Sequence, residues 1–441
     1  MRSLPFFSRS LLALSALAFL PIGLSLAADQ ARPAWPQSAS DIPADPAIRF
    51  GVLPNGMRYA IMKNATPKGA VSIRFRIGAG SLQENEQQRG LAHFVEHMAF
   101  RGSTHVPDGE VFKLLQRLGL RTGADANAST GLTETIYQFD LPKNDEETVD
   151  TGLMLSRDIA SELSFNKDGF EVERGPVLSE ERLRDGPGTH AYEAQTKFLL
   201  RGQLAADRSP IGKIEIIRDA PMERAIEFYR DYYRPERAAL VVAGDIDPDA
   251  IEAKIKARFG DWRAAGTGKA DPDFGMLEKR GLEAFLFAEA GAPQSVSVSW
   301  TTPYDGALDT KARRARNRIE DLGFSILNQR LARLAEQPDA PFLSAGAGRG
   351  NTSRSARLAS LRANYRGTEW RKALVEAEKI RRQVLAQGVT QEEVDREVAS
   401  SLASADAGVA ASATRISRAL EGGITGAIDR DSVSKIGRAH V

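Results

Sequence analysis

Five histidines (His93, His97, His105, His190 and His440) and no cysteine make up the imidazole and thiol inventory of the chain. Two of the histidines stand in one segment, Gly90-Leu-Ala-His93-Phe-Val-Glu96-His97-Met-Ala-Phe100. On a helix, positions i, i+3 and i+4 share a face, so His93, Glu96 and His97 project together within an arc of about 100°. Two imidazoles one turn apart can bind one zinc ion, which takes nitrogen ligands at about 2.0–2.1 Å. Glu96 between them can act as base toward a metal-bound water. Leu91, Phe94, Val95 and Met98 lie on roughly the other side and can anchor the helix in a core. The bland alternative is a helix that happens to carry two core or surface histidines. In a chain this poor in histidine, a chance His-x-x-Glu-His is worth on the order of a few parts in a thousand, so zinc is the preferred reading.

Two histidines leave the metal short, because a catalytic zinc usually takes three protein ligands and keeps one position open. His105 lies between Gly102-Ser103-Thr104 and Pro107, and His190 follows Asp185-Gly186-Pro187-Gly188; both contexts read as loops. A carboxylate is the stronger candidate. Glu173 and Glu180 stand seven residues apart, nearly on one helix face, although Pro176 between them can kink a helix. The bland reading of both glutamates is a solvated helix face, and spacing alone leaves the third ligand open.

Composition narrows the remaining chemistry. The absence of cysteine removes thiol nucleophiles, disulfides, iron–sulfur clusters and Cys-ligated zinc. A formal net charge of +1 gives no electrostatic case for nucleic acid. A length of 441 residues suggests two domains.

The elements that must carry the motif follow from periodicity. Residues 49–53 and 57–62 flank Pro54-Asn55-Gly56, a hairpin signal. Val71, Ile73, Phe75 and Ile77 alternate with Ser72, Arg74 and Arg76, which predicts a half-buried strand. A helix over about 90–100 follows, then another from Asp108, its expected cap, to Gly119. Residues 123–128 and 134–141 read as a strand pair, 146–163 and 170–184 as helices, and 238–243 as a buried strand. Mixed strands, hairpins and helices make the fold class α+β. The Gly-, Asp-, Lys- and Pro-rich stretch near 266 reads as a linker, after which a similar order restarts. A strand at 296–300, a long helix over about 308–337, two shorter strands and helices at 369–387 and from Thr390 follow, with Thr390 and Glu393 forming a capping box. This second unit is a divergent copy whose long helix holds no histidine.

The termini read as additions. Arg2 and Arg9, the apolar run 11–20 and Ser25-Leu26-Ala27 make residues 1–27 a secretory signal peptide, followed by a leader segment at 28–45. The mature protein is therefore expected in a bacterial periplasm, with no stable membrane span. Lys435-Ile-Gly-Arg-Ala-His-Val441 matches a translated sequencing adapter, so the chain is expected to be truncated at its C-terminus and His440 to take no part in the chemistry.

Gly78-Ala-Gly-Ser81, Glu84 and the run from Gly90 to Ser103 together resemble the insulinase/pitrilysin (M16) family of inverted-zincin metallopeptidases. Leu53-Pro-Asn-Gly56, Asn127-Ala-Ser-Thr130 before Thr135-Ile-Tyr137, Pro210-Ile-Gly212, and Tyr233-Arg-Pro235 through Asp245 resemble further landmarks in the same order. The likeness covers about residues 46–265, more faintly the rest, and is greatest to long secreted bacterial members of the PqqL type. It implies a catalytic domain at 46–265, a linker at 266–278, and a second, inactive and incomplete domain of the same type at 279–434. It also implies one zinc per chain on His93, His97 and Glu180, with Glu96 and Glu173 as the catalytic carboxylates, Glu173 helping Glu180. The implied reaction is endopeptidase hydrolysis of peptides or unfolded protein segments. Asn127 and Ala128, on a candidate edge strand, could take the substrate as an added strand. A missing C-terminal half or a second subunit would close the chamber. The rival readings are a non-catalytic family member serving as scaffold and a zinc enzyme of other chemistry. The presence of both histidines, Glu96 and Glu180 tells against the scaffold.

Overall fold

A computed structural model describes residues 34–434 apart from 353. The expected signal peptide and the terminal stretch 435–441 lie outside the described residues, as does the leader up to residue 33. The first unit begins with strands β1 (Ile48–Val52), β2 (Arg58–Lys63) and β3 (Val71–Ile77), then helices α1 (Leu91–Met98) and α2 (Val111–Arg117). Strands β4 (Ala126–Thr130) and β5 (Thr135–Leu141) follow, then α3 (Glu146–Ser161), α4 (Lys167–Arg184), α5 (Pro187–Leu199), α6 (Ile214–Asp219) and α7 (Met222–Tyr232). Strand β6 (Ala238–Gly244) and helix α8 (Pro248–Phe259) complete it. The strands form one six-stranded sheet in the order β1-β2-β6-β3-β5-β4, antiparallel except for the β2–β6 pair.

A three-stranded sheet comes next in the chain, built from β7 (Ser295–Pro303), β8 (Ser344–Thr352) and β9 (Ala356–Asn364) in the order β7-β9-β8. Helices α9 (Lys311–Ala335) and α10 (Trp370–Gln387) pack on it, and α11 (Gln391–Ala410) lies against α9. The last helix is α12 (Ser417–Asp429). The architecture is α+β, as the residue pattern predicts. Thr390 and Glu393 form the expected capping box at the start of α11. Among the described residues no helix is long and apolar enough to cross a membrane.

Four local expectations need correction. His190 does not lie in a loop but near the start of α5, which begins at Pro187, a residue whose fixed φ suits the first turn of a helix. Asp108 does not cap α2. Its carboxylate is held by Arg101 at 2.6 and 3.0 Å, and Gly109, at φ +77°, lets the chain turn before the helix starts at Val111. The two strands after α9 are not shorter than β7, since all three have nine residues and pair along their full length. Strand β3 is not half-buried. Arg74 and Arg76 are only 6% and 3% exposed.

The cause is that the sheet is covered on both faces. On one side Ile73, Phe75 and Ile77 join Phe94, Leu153 and Ile255 in the main core. On the other, Ala60, Met62, Val241 and Ala243 meet Leu420, Ile424 and Ile428 of α12. Alternation marks a strand with two different faces, but a polar stripe can be buried where a partner carries complementary charge.

Ile424 is fully buried in that second cluster. Ile424→Ala is expected to lower unfolding stability by about 2–4 kcal/mol in urea titration. A loss below about 0.5 kcal/mol, the level of an ordinary surface change, would show that α12 is not packed on the sheet.

Candidate metal centre

The site is built on α1. Leu91, Ala92, Phe94, Val95 and Met98 have no exposure, which sets the helix into the core and aims His93, Glu96 and His97 toward α4 and β4. The helix can begin where it does because Gly90 adopts φ +99° as its N-cap, a left-handed conformation glycine tolerates. The backbones of Gly90 and Gly212 also touch. A Cβ on Gly212 would lie 2.2 Å from the Gly90 Cα. The first-turn N–H groups are met by Glu84, whose two carboxylate oxygens accept from Gly90 N at 3.0 Å and Ala92 N at 2.7 Å. Burial pushes the Glu84 carboxyl up to about 8, against the pull of these two N–H groups.

Helix α4 supplies the carboxylates. Phe170 packs on Phe94 with ring centroids 4.4 Å apart, and Arg174 lies over Phe170 while donating to the carbonyls of Ile217 and Ala220, each at 2.6 Å. Pro176 sits inside α4 without ending it, so Glu173 and Glu180 do share the face turned to α1. Glu180 Oε2 lies 3.5 Å from His93 Nε2 and 3.4 Å from His97 Nε2. These are the edge lengths of a small coordination polyhedron, since ligands about 2.1 Å from a tetrahedral zinc stand about 3.4 Å apart. Among the described residues, His93, His97 and Glu180 are the one group of histidine and acidic side chains that could hold a metal ion.

The surrounding contacts fit that arrangement. Glu173 Oε1 lies 2.9 Å from His97 Nδ1. An ionised carboxylate only accepts, so the proton sits on Nδ1 and the Nε2 lone pair turns to the centre. Glu173 therefore stands behind His97 and outside the trio. His93 Nδ1 is buried and has no hydrogen-bond partner. Glu96 stands beside the trio with Oε2 accepting from Thr130 Oγ1 at 2.6 Å. Burial raises the Glu96 carboxyl, opposed by His93, Thr130 and His97. For His97, desolvation works downward but is outweighed by the bond it donates to Glu173 and by the charges of Glu96, Glu173 and Glu180, so its pKa is raised. The hydrogen bond from His93, with the charges of His93, Arg184 and His97, holds the Glu180 carboxyl at about 2.

The trio opens onto a cavity of about 490 Å³ whose wall includes Asn127, Ala128 and Thr130 of β4. Strand β4 is the edge of its sheet, pairing with β5 alone among the described strands. His105 and His190 are elsewhere. His105 Nδ1 is 2.7 Å from Asp158 on α3, and His190 is held between Asp185 at 2.6 Å and Glu289 at 2.9 Å. Glu84 as cap, Thr130 as partner of Glu96, and Arg184, 2.5 Å from Glu180 Oε1, are contacts that residue spacing did not reveal. Only Arg184 carried a local signal, four residues after Glu180 on one helix.

Two family descriptions match the chain. "Insulinase (Peptidase family M16)" covers residues 59–184 and "Peptidase M16 inactive domain" covers 220–401. The chain is similar to the "Probable zinc protease PqqL" of Haemophilus influenzae, 27% identical over 81% of this chain and 39% of that protein. It is similar to the "Probable zinc protease PqqL" of Escherichia coli, 34% identical over 49% of this chain and 23% of that one. It thus spans well under half the length of these relatives. Its fold is that of the crystal structure of the first half of the periplasmic protease PqqL from Escherichia coli. The TM-score is 0.79 at 24% identity, covering 89% of this chain and 84% of that one.

Removing the cap of α1 should be felt at once. Glu84→Ala leaves two first-turn N–H groups buried without acceptors and is expected to cost about 1–3 kcal/mol in denaturant unfolding. Glu84→Gln, whose amide oxygen can still accept, should lose less. Equal losses, or none, would remove Glu84 from the capping role.

Proposed function

The chain belongs to the insulinase family of peptidases, M16, and from that premise we propose that it is a zinc-dependent endopeptidase acting on peptides or unfolded protein segments outside the cytoplasm. The observation that carries the reading is the meeting of His93 Nε2, His97 Nε2 and Glu180 Oε2, with the Glu96 carboxylate beside them and an open cavity in front. The three side chains would hold one zinc ion. When bound, zinc supplies Lewis acidity that polarises a carbonyl and makes water a stronger acid.

The rest is done by the chain's own groups. Glu173 keeps His97 in the tautomer that presents Nε2. Thr130 occupies Glu96 Oε2, which leaves Oε1 to accept the proton of the attacking water and return it to the leaving amine. Strand β4 offers backbone groups at Asn127 and Ala128 to an extended peptide, which would add as a further strand. The wall of the cavity excludes part of the solvent, and a further portion of the protein or a second subunit would close the chamber. The second sheet-and-helix unit, at 279–434, is an inactive copy, because its long helix α9 holds no histidine. The basic start, apolar run and small-residue end of residues 1–27 support export to the periplasm.

Metal analysis tests the ligand set. His93→Ala, His97→Ala and Glu180→Gln should each lose most of the zinc, against one ion per chain in the parent. Full retention by Glu180→Gln, with loss on Glu173→Gln, would exchange the two roles.

Glu96→Gln separates binding from chemistry. The amide fills nearly the same space but cannot take the proton, so zinc content should stay at the parent level. Turnover of a quenched-fluorescent peptide should fall by about a hundredfold or more. Substantial hydrolysis by the zinc-loaded variant would rule Glu96 out as the base.

A further inference from the structure

Helix α12 comes near the end of the chain, yet it is fastened to the first sheet and one of its residues reaches the loop that borders the cavity. Its N-terminus is tied to the segment after β2. Ser417 N donates to the Thr66 carbonyl at 2.8 Å, and Asn64 Nδ2 donates to Ser417 Oγ and the Arg415 carbonyl, each at 3.0 Å. At its centre the fully buried Glu421 is paired with Arg74 Nε at 2.9 Å and accepts from Thr425 Oγ1 at 2.6 Å. Arg74 in turn reaches Asp140 Oδ1 on β5 at 3.0 Å.

Arg418 stands one turn before Glu421 and uses its guanidinium as a fork. Its Nε lies 2.8 Å from Asp140 Oδ2, and an Nη donates to the carbonyl of Ala124. Ala124 belongs to the loop 119–125 that leads into β4, and Thr122 and Gly123 of that loop line the cavity. Within itself the loop is closed by Arg121 on Asp125 at 2.7 Å and by Gly123 N on the Ala126 carbonyl at 2.8 Å. Its join to β5 is one backbone bond, from Asp140 N to the Asp125 carbonyl at 2.7 Å. Arg418 adds a side-chain tether from a helix almost three hundred residues away in sequence.

We propose that Arg418 is a positioning residue for substrate binding, by which docked α12 clamps the loop 121–125 and so fixes the start of the edge strand β4. The proposal rests on β4 being the strand to which a peptide adds. Strand addition needs the N–H and C=O groups of the edge at set positions, and a misplacement of about 1 Å can cost on the order of a hundredfold. Only a guanidinium suits the task. Its planar fork serves a carboxylate and a carbonyl in fixed, divergent directions, whereas a lysine ammonium, although it has three N–H donors, is a compact point charge on a flexible stem and does not fix that geometry. The clamp also explains why a polar stripe is buried on β3. Arg74 and Glu421 seat the helix at the register that brings Arg418 over Asp140 and Ala124.

The test combines amide hydrogen exchange with peptide kinetics on the zinc-loaded protein. Arg418→Met keeps the stem that covers apolar surface and removes the fork. Exchange across 121–130 is expected to quicken by about tenfold while α1 exchange and zinc content stay at parent values. With a quenched-fluorescent peptide, KM should rise by about tenfold and kcat change by less than about twofold, the pattern of lost binding. Arg418→Lys should fall between parent and Arg418→Met in both readouts. Unchanged exchange across 121–130 overturns the clamp, and so does faster exchange with an unchanged KM. If the parent chain hydrolyses no peptide even when the rest of the chamber is supplied, the peptidase reading fails. Exchange then decides the tether alone, with quickening in its favour and no change against it.

Discussion

Helix α1 is eight residues long and nearly devoid of exposed surface, yet it carries two imidazoles and a carboxylate. Buried polar groups cost about 1–3 kcal/mol each when they are left without partners. That constraint dictates much of what surrounds the helix. Thr130 on β4 must stand against Glu96, Glu173 must stand behind His97, and Glu180 must stand in front of both histidines. The apolar side of α1 is set by the core, so its polar side has one direction to face, and β4 and α4 have to come to it. Phe170 on Phe94 and Arg174 on two carbonyls are how α4 is brought into register.

The same constraint acts at the start of the helix. A helix whose first turn is buried must find acceptors for its free N–H groups. Glu84 provides two oxygens for two of them, and the close contact of Gly90 with Gly212 leaves no room for a side chain that could do the work locally. The position of His93 and His97 is therefore inherited from contacts at the start of the helix, through Glu84 and Gly212, which are not members of the trio.

The opposite face of the sheet repeats this logic with charge. Arg74 and Arg76 on β3 would be costly if simply covered by apolar residues. α12 lays Leu420, Ile424 and Ile428 on this face of the sheet around a carboxylate, Glu421, that meets Arg74. A helix late in the chain is thereby tied to strands early in it, and its Arg418 extends the tie to the edge that borders the cavity.

Local spacing alone determined the helical face of His93, Glu96 and His97, the hairpin around Asn55-Gly56, the capping box of Thr390 and Glu393, and the α+β class. These depend on the 3.6- and 2-residue periods of the backbone and on bonds between residues three or four apart, which any reader of the chain can count. Spacing made Glu173 and Glu180 joint candidates, and only likeness to a family pattern singled out Glu180, because nothing local says which of several glutamates faces the histidines. The cap by Glu84, the partner of Glu96, the release of Asp108 to Arg101, the full burial of β3 and the docking of α12 belonged to the tertiary structure. The partner of Glu96 and the docking of α12 are contacts between segments far apart in sequence, while Glu84 to α1 and Asp108 to Arg101 span six to eight residues, outside the three- and four-residue period; all are chosen by packing and by the need to pair polar groups. The chain's local periodicities are the same whichever distant partner is met.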